Sequence, residues 1–371
     1  MNAIRQKDFK ADLLSIVLTI TAAYLVLFLS VFLLSKDPGK SIYYLMAGPF
    51  INNFYFGNLL NSMVPLIFTG LGMAIAFKAD LFNLGGEGQV YSGGITAVII
   101  GLSFSGSSLL TASGLGKIIG IFCILLGSFI AAGLLAAISG FFKMKWNANE
   151  LLSSFLISNI CILVINHLVR SVFNDPQNNL IATWTIPQEF FLKRIFLPSS
   201  LNSSVWFAVT ALVFCFVYLF RTRQGYELRL CGLNRQFARY GGIASEKYLV
   251  IPLFLSGGLH GLAGAASVLG THHSVIQGFS SGMGWNGIAI ALIARNHPLA
   301  VIPAAFFLAY LDSGAKSAMI HSDLTLEIVS IAQAVVFLLI TARVVHDFIR
   351  YGRMKSRKIK PSTQGGWGGG L

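Results

Sequence analysis

LLSIVLTITAAYLVLFLSVFLL, residues Leu13–Leu34, contains no charged residue. About 20 apolar residues wound as a helix span the hydrocarbon of a bilayer, so this run reads as a membrane crossing. It does not stand alone. Uncharged or nearly uncharged apolar runs recur at Leu59–Phe77, Ile118–Phe142, Leu151–Val169, Val205–Phe220, Leu249–Leu269, Pro298–Leu311 and Leu324–Ala342. Composition agrees: hydrophobic residues make up 55% of the 371 and charged residues 11%, against about a quarter charged in soluble domains. The mean hydropathy is +0.71. The fold class is all-α, a polytopic transmembrane helical bundle.

Arg5, Lys7 and Lys10 precede the first run as they would in a signal peptide. The run is longer than a signal core, and no small-x-small site stands before Ser35-Lys36-Asp37, so it reads as a retained anchor helix. The formal net charge of +13 has a topological explanation. Basic residues gather at the N-terminus, at Lys143 and Lys145, across Arg221–Lys247 and across Arg343–Lys360. Cationic loops flanking apolar runs mark the cytoplasmic face, and no basic stripe interleaved with aromatics offers a nucleic-acid surface. Of the four cysteines, none has metal-ligand spacing, and buried reduced thiols are expected.

Threading the basic loops puts both termini in the cytoplasm. Residues 1–12 form the N-terminal segment, 13–345 the transmembrane domain with the cytoplasmic loop 221–247 inside it, and 346–371 a basic and then Gly-rich tail. Lys36–Gly57 reads as an external interfacial stretch, Asn83–Leu102 as a Gly-rich crossing, and Arg170–Asn202, with its prolines and asparagines, as an external loop. Met283–Ala294 is short for a span and reads either as a crossing or as a re-entrant piece. The count is therefore eight to ten transmembrane helices. Phe82–Gly94 and Gly278–Gly287 are Gly-rich entries in matching positions of the two halves. Such echoes point to an inverted 5+5 repeat and a transport pathway, or simply to close helix packing.

The densest polar constellation is Asp80-Leu81-Phe82-Asn83-Leu84-Gly85-Gly86-Glu87-Gly88-Gln89. A carboxylate and two amides at membrane depth are costly and face polar partners or a water-filled path. Asn83, Glu87 and Gln89 are accordingly candidates for the pathway or a helix break, or else Asn83 and Glu87 cap the helix that follows. Asn149 and Glu150 open the next candidate helix, on which Glu150, Ser154 and Ser158 share a face at i, i+4 and i+8. Such a face glues helices or contacts solute. Trp285 and Asn286 lie in the second Gly-rich entry, where an indole stacks on a ring and an amide reads its edge, or where tryptophan anchors at the interface. Gly257, Gly261 and Ala265 form a packing face. His272 and His273 lack metal partners and read as solvated.

These elements, in order, resemble one family. FNLGGEGQ (Phe82–Gln89) followed by SGG is similar to the signature of the nucleoside and simple-sugar branch of ABC importer permeases, a superfamily shared with ribose and branched-chain amino-acid permeases. NANELLSSFLISNI (Asn147–Ile160) resembles its G-x-N-E helix start, though the glycine is absent and Ala148 intervenes. TRQGYELRLCGLNRQFARYGGI (Thr222–Ile243), SGGLHGLAGAASVLG and GMGWNGIAIALIARNHPLA resemble later elements, and the likeness covers roughly residues 60–345.

The resemblance implies a binding-protein-dependent permease subunit for nucleosides or simple sugars in a bacterial cytoplasmic membrane. It also implies an ABC ATP-binding subunit, a second and different permease subunit, and an extracytoplasmic solute-binding lipoprotein. Thr222, Gly225, Arg229, Gly232, Asn234, Arg239 and Gly242 are implied to belong to the loop that docks on the ATPase. The arginines equally suit anchoring at an anionic leaflet. No GxxxxGK[ST] occurs, so the chain holds no P-loop; ATP is expected to be used by the partner, with no cofactor or metal on this chain. No nucleophile–base set suggests an enzyme. An ion-coupled secondary transporter, with Glu87 or Glu150 as relay, is the competing expectation.

Overall fold

The computed structural model describes residues 35–106 and 114–325, together with 21, 25, 28–33 and 334. The expected crossings Leu13–Leu34 and Leu324–Ala342, and both terminal segments, lie largely outside these. The chain divides into two compact units, Tyr43–Ile320 and the pair Met1–Ile42 with His321–Leu371. In the second of these the Asp323 carboxylate accepts from the Ser35 hydroxyl at 2.7 Å, the Lys36 amide at 2.5 Å and the Ser41 hydroxyl at 3.2 Å. These donors hold its pKa down at about 2.

In chain order the helices are α1 (Pro38–Ala47), α2 (Asn53–Lys78), α3 (Gly86–Ser103), α4 (Gly114–Trp146), α5 (Glu150–Ser171) and α6 (Ser204–Arg221). Then come α7 (Arg223–Leu233), α8 (Arg235–Tyr240), α9 (Lys247–Ser267), α10 (Met283–Ile293) and α11 (Pro298–His321). Among the described residues six helices are long and apolar enough to cross a membrane.

The helices divide into central and peripheral ones. α2, apolar on every side, has 83% of its most hydrophobic window buried, whereas α5 has 22%. On α5 the exposed face is Leu152, Leu156, Ile160 and Leu163, and the buried face holds Glu150, Ser154 and Ser158. This reverses the soluble amphipathic pattern: leucines face out of the bundle and small polar residues face into it, where hydrogen bonds hold helices that hydrophobicity alone cannot.

α9 is the axis. Its Gly257 and Gly261 lie against Ala132 and Ser128 of α4, and Gly140 of α4 meets Leu249 and Val250, so the two run antiparallel. The expected small-residue face is thus a packing seam.

α10 is too short to span at about 1.5 Å per residue. Together with the segment before it, it runs from one end of the bundle to the other. The irregular segment before it is bonded to the long loop at one end of the bundle, with the Thr183 amide to the Val275 carbonyl at 3.0 Å and the Gln277 amide to the Ile181 carbonyl at 2.9 Å. Past its C-terminus, His297 stacks on Phe220, in the last turn of α6 at the other end, with centroids 5.2 Å apart. Its flanks therefore lie at opposite ends of the bundle, and it does not turn back as a re-entrant piece would.

The stretch Lys36–Gly57, read as external and interfacial, holds α1 and the start of α2. Proline is no obstacle to α1 because Pro38 occupies its first position, where the amide is unpaired anyway. α11 continues past Leu311, the expected end of the apolar run, to His321; Asp312 and Lys316, which interrupt the run, form an i, i+4 ion pair at 2.6 Å.

Candidate functional site

Between α2 and α3 the chain leaves helical geometry, and its polar side chains turn inward. Asn83 and Gln89 form a reciprocal amide pair, each amide nitrogen donating to the other's carbonyl oxygen at 2.8 Å. Asn83 also donates to Ser256 of α9 at 3.0 Å and accepts the Gly85 amide at 3.1 Å. From the other side α5 grips the same turn. Ser154 accepts the Leu84 amide at 3.1 Å and Ser158 the Gly88 amide at 2.8 Å. Each such bond is worth about 1 kcal/mol net, and losing one partner in a buried site costs more.

Glu87 does not cap the helix it begins. Its carboxylate accepts from the Ser280 hydroxyl, from the Gly282 amide at 3.1 Å and from the Gly284 amide at 2.9 Å. The last two amides open α10. The N-cap of α10 is Gly282, with φ +79° and no side chain to accept from the first turn, so Glu87 supplies that function from another helix. A carboxylate at a helix N-terminus is favoured by both the free amides and the helix dipole. The approach is close: any Cβ on Gly284 would collide with the backbone of Gly86 and Glu87. His260 lies beneath. Its Nδ1 stands 2.8 Å from the Ser256 carbonyl, and a Cβ on Gly86 would come within 2.7 Å of its Nε2. His260 lies roughly 20 Å along α9 from Lys247. Sequence reasoning passed over it, since one histidine in an apolar helix carries no spacing signal.

Asn149 and Glu150 are placed elsewhere. Asn149 caps α5, accepting the Leu151 amide at 2.9 Å, and Glu150 pairs with Lys143 of α4 at 2.6 Å. Together they close the α4–α5 corner.

Trp285 and Asn286 are neighbours facing different ways. The indole packs toward Phe155 of α5, with centroids 6.0 Å apart. Asn286 lines a cavity of about 240 Å³ whose walls come from α2, the start of α6, α9 with the following turn, the segment before α10, α10 and α11. Asn61, Ser62, Thr271 and His272 are on those walls, together with Asp312 and Lys316. His272 and His273 are thus half-buried rather than freely solvated, and His273 stacks on Phe191 at 3.6 Å.

The loop 221–247 is folded into α7 and α8. Thr222 caps α7 by accepting the Gly225 amide at 3.1 Å, and Asn234 caps α8 by accepting the Phe237 amide at 2.9 Å. Gly225 and Gly232 permit contact: a Cβ on either would strike the carbonyl of Tyr218 or of Lys78. Gly242, with φ +79°, makes the turn after α8. Arg229 is drawn inward over the Phe220 ring at 5.1 Å, while Arg239 is exposed. Tyr226, Leu233, Phe237 and Tyr240 present apolar surface, Tyr240 being 93% exposed. Glu227, absent from the sequence candidates, anchors the unit. It accepts from Tyr248 of α9 and from Arg223, both at 2.8 Å, and these bonds hold its pKa below the ordinary carboxylate value.

Comparison with known sequences follows the same line. The profile of a family described as branched-chain amino acid transport system / permease component matches residues 55–342. A probable riboflavin import permease protein of Treponema pallidum (strain Nichols) is 33% identical over 84% of this chain and 80% of its own. A guanosine ABC transporter permease of Bacillus subtilis (strain 168) is 29% identical over 95% of this chain and 98% of its own. A second guanosine ABC transporter permease of that strain is 25% identical over 67% and 77%. No solved structure matches.

Proposed function

Because the chain belongs to the branched-chain amino acid transport system / permease component family, we propose that it forms the translocation path for nucleosides, with simple sugars next in line, in an ATP-driven importer. It is a multi-pass membrane permease subunit of the ABC type and a transport component rather than an enzyme. The family implies an ATP-binding subunit and an extracytoplasmic binding protein as partners.

The finer points are our reading. The solute class is taken from the relatives named for guanosine. The pair of guanosine permeases in one strain supports a heterodimer with a second, different permease. The membrane is the bacterial cytoplasmic membrane, with both termini inside as the basic flanks suggest. ATP is consumed on the partner, and this chain binds no cofactor. The Gly-rich starts of α3 and α10, meeting head to head, support an inverted repeat.

One observation carries the transport mechanism. α7 abuts Lys78 and Ala79 at Gly232, and the next residues are the turn bearing Asn83 and Glu87. The exposed Leu233, Phe237 and Tyr240 suit docking of an ATPase, whose motion would pass through Gly232 to that turn. Glu87 with three donors and Glu150 with Lys143 are both committed to structure, which disfavours an ion relay. Radiolabelled guanosine uptake in a deletion strain carrying the complete transporter tests the reading. Uptake should track cellular ATP and survive an uncoupler while ATP is maintained; collapse under the uncoupler would sink it.

A further inference from the structure

The cavity above α10 has polar walls at membrane depth, where polar side chains are costly unless they pair with each other or face water or a solute. Some of its wall is engaged. Asn61 donates to Thr271 at 3.1 Å and accepts from Asn202 at 3.0 Å. Ser62, His272 and Asn286 differ: all three are half-buried, and among the described residues none has a side-chain hydrogen bond. A hydroxyl, an imidazole and a primary amide therefore stand unengaged around one space. Phe279 adds a ring to the same wall.

The charged side chains on its wall, Lys316 and Asp312, are paired with each other at 2.6 Å. A zwitterion entering such a chamber would have to break that ion pair or leave its own ammonium and carboxylate unpaired, the expensive case for buried ions. A neutral molecule rich in hydroxyls and ring nitrogens, with one flat face, meets complementary groups. The volume, about 240 Å³, lies just below the roughly 300–1,000 Å³ of drug-sized sites and suits a single small solute. The floor is the first turn of α10, through Met283 and Asn286, whose start Glu87 holds from below.

We propose that this cavity is a solute-binding chamber within the single subunit, taking a neutral, hydrogen-bonding, ring-bearing molecule of the nucleoside class through Ser62, His272 and Asn286. The choice of class rests on the nucleoside-import reading above.

The test is uptake kinetics in cells expressing the complete transporter and lacking other nucleoside permeases, with radiolabelled guanosine as probe and glucose and leucine run in parallel. S62A and N286A should each raise the guanosine concentration for half-maximal uptake about three- to tenfold. Maximal rate and co-purification with the ATP-binding subunit should stay as in the wild type. If N286A fails to assemble, S62A carries the comparison. In intact cells, saturating guanosine should also slow thiol labelling of N286C. Wild-type affinity for guanosine in both assembled variants overturns the chamber and leaves nucleoside import standing. Glucose uptake with the same affinity losses upholds the chamber and removes guanosine as solute. Leucine uptake in place of both overturns the two together.

Discussion

Glu87 of α3 and Gly284 of α10 are 197 residues apart in sequence and joined at 2.9 Å, carboxylate oxygen to backbone amide. The bond ties two helices that begin at the same depth, and it converts a buried charge into a cap. Replacing Glu87 with Ala leaves the amides of Gly282 and Gly284 without an acceptor, so stability should fall by about 2–3 kcal/mol. Gln keeps one acceptor oxygen but points an NH2 group at amide donors, so it should fall in between. Thermal unfolding of the purified transporter checks the order Glu, Gln, Ala, and an Ala variant as stable as wild type would remove Glu87 from its capping role.

Gly232 is the point at which α7 touches the Lys78–Ala79 turn, and the space there admits no side chain. Val at this position must push α7 away from the turn, an overpacking cost of about 1–3 kcal/mol. Uptake should drop at least tenfold while the ATP-binding subunit still co-purifies, because Leu233, Phe237 and Tyr240 stay on the surface. Unchanged uptake in G232V would separate α7 from the transport step.

Local periodicity made half of each contact legible and left its partner hidden. Glu150, Ser154 and Ser158 could be placed on one face by arithmetic on 3.6 residues per turn. Their partners, such as the Leu84 and Gly88 amides 70 residues upstream, are backbone groups with no sequence signature. Glu87 announced itself by cost, but Ser280, Gly282 and Gly284 did not. The echo between Phe82–Gly94 and Gly278–Gly287 was the only hint that those stretches meet. Arg229 was grouped with surface arginines because charge density does not reveal direction, and its turn onto Phe220 is a tertiary fact.

The α4–α5 corner separates structure from selectivity. Asn149 satisfies an orphan amide of the first turn, and N149A should destabilise by about 1 kcal/mol. E150Q loses the charged pairing with Lys143 at 2.6 Å and should destabilise further. Neither residue lines the cavity, so both variants should lower the amount of assembled transporter and leave the half-saturating solute concentration unchanged. A shift in that concentration would return Asn149 or Glu150 to the solute path.

Glu227 sets a pH dependence for the link between α7 and α9. Its pKa is lowered first by the Tyr248 hydroxyl and then by Arg223. A carboxylate with a depressed pKa contributes stability above its unfolded value and loses that contribution as pH falls through the folded one. The link should therefore be intact from neutral pH down to the ordinary carboxylate range and should loosen only on further acidification. Removing the donor with Y248F raises the folded pKa, so loosening should begin at a higher pH than in the wild type. Hydrogen exchange of the α7 amides across an acid titration reads this directly. Coincident profiles for Y248F and wild type would mean that the Tyr248 bond does not hold α7 in place.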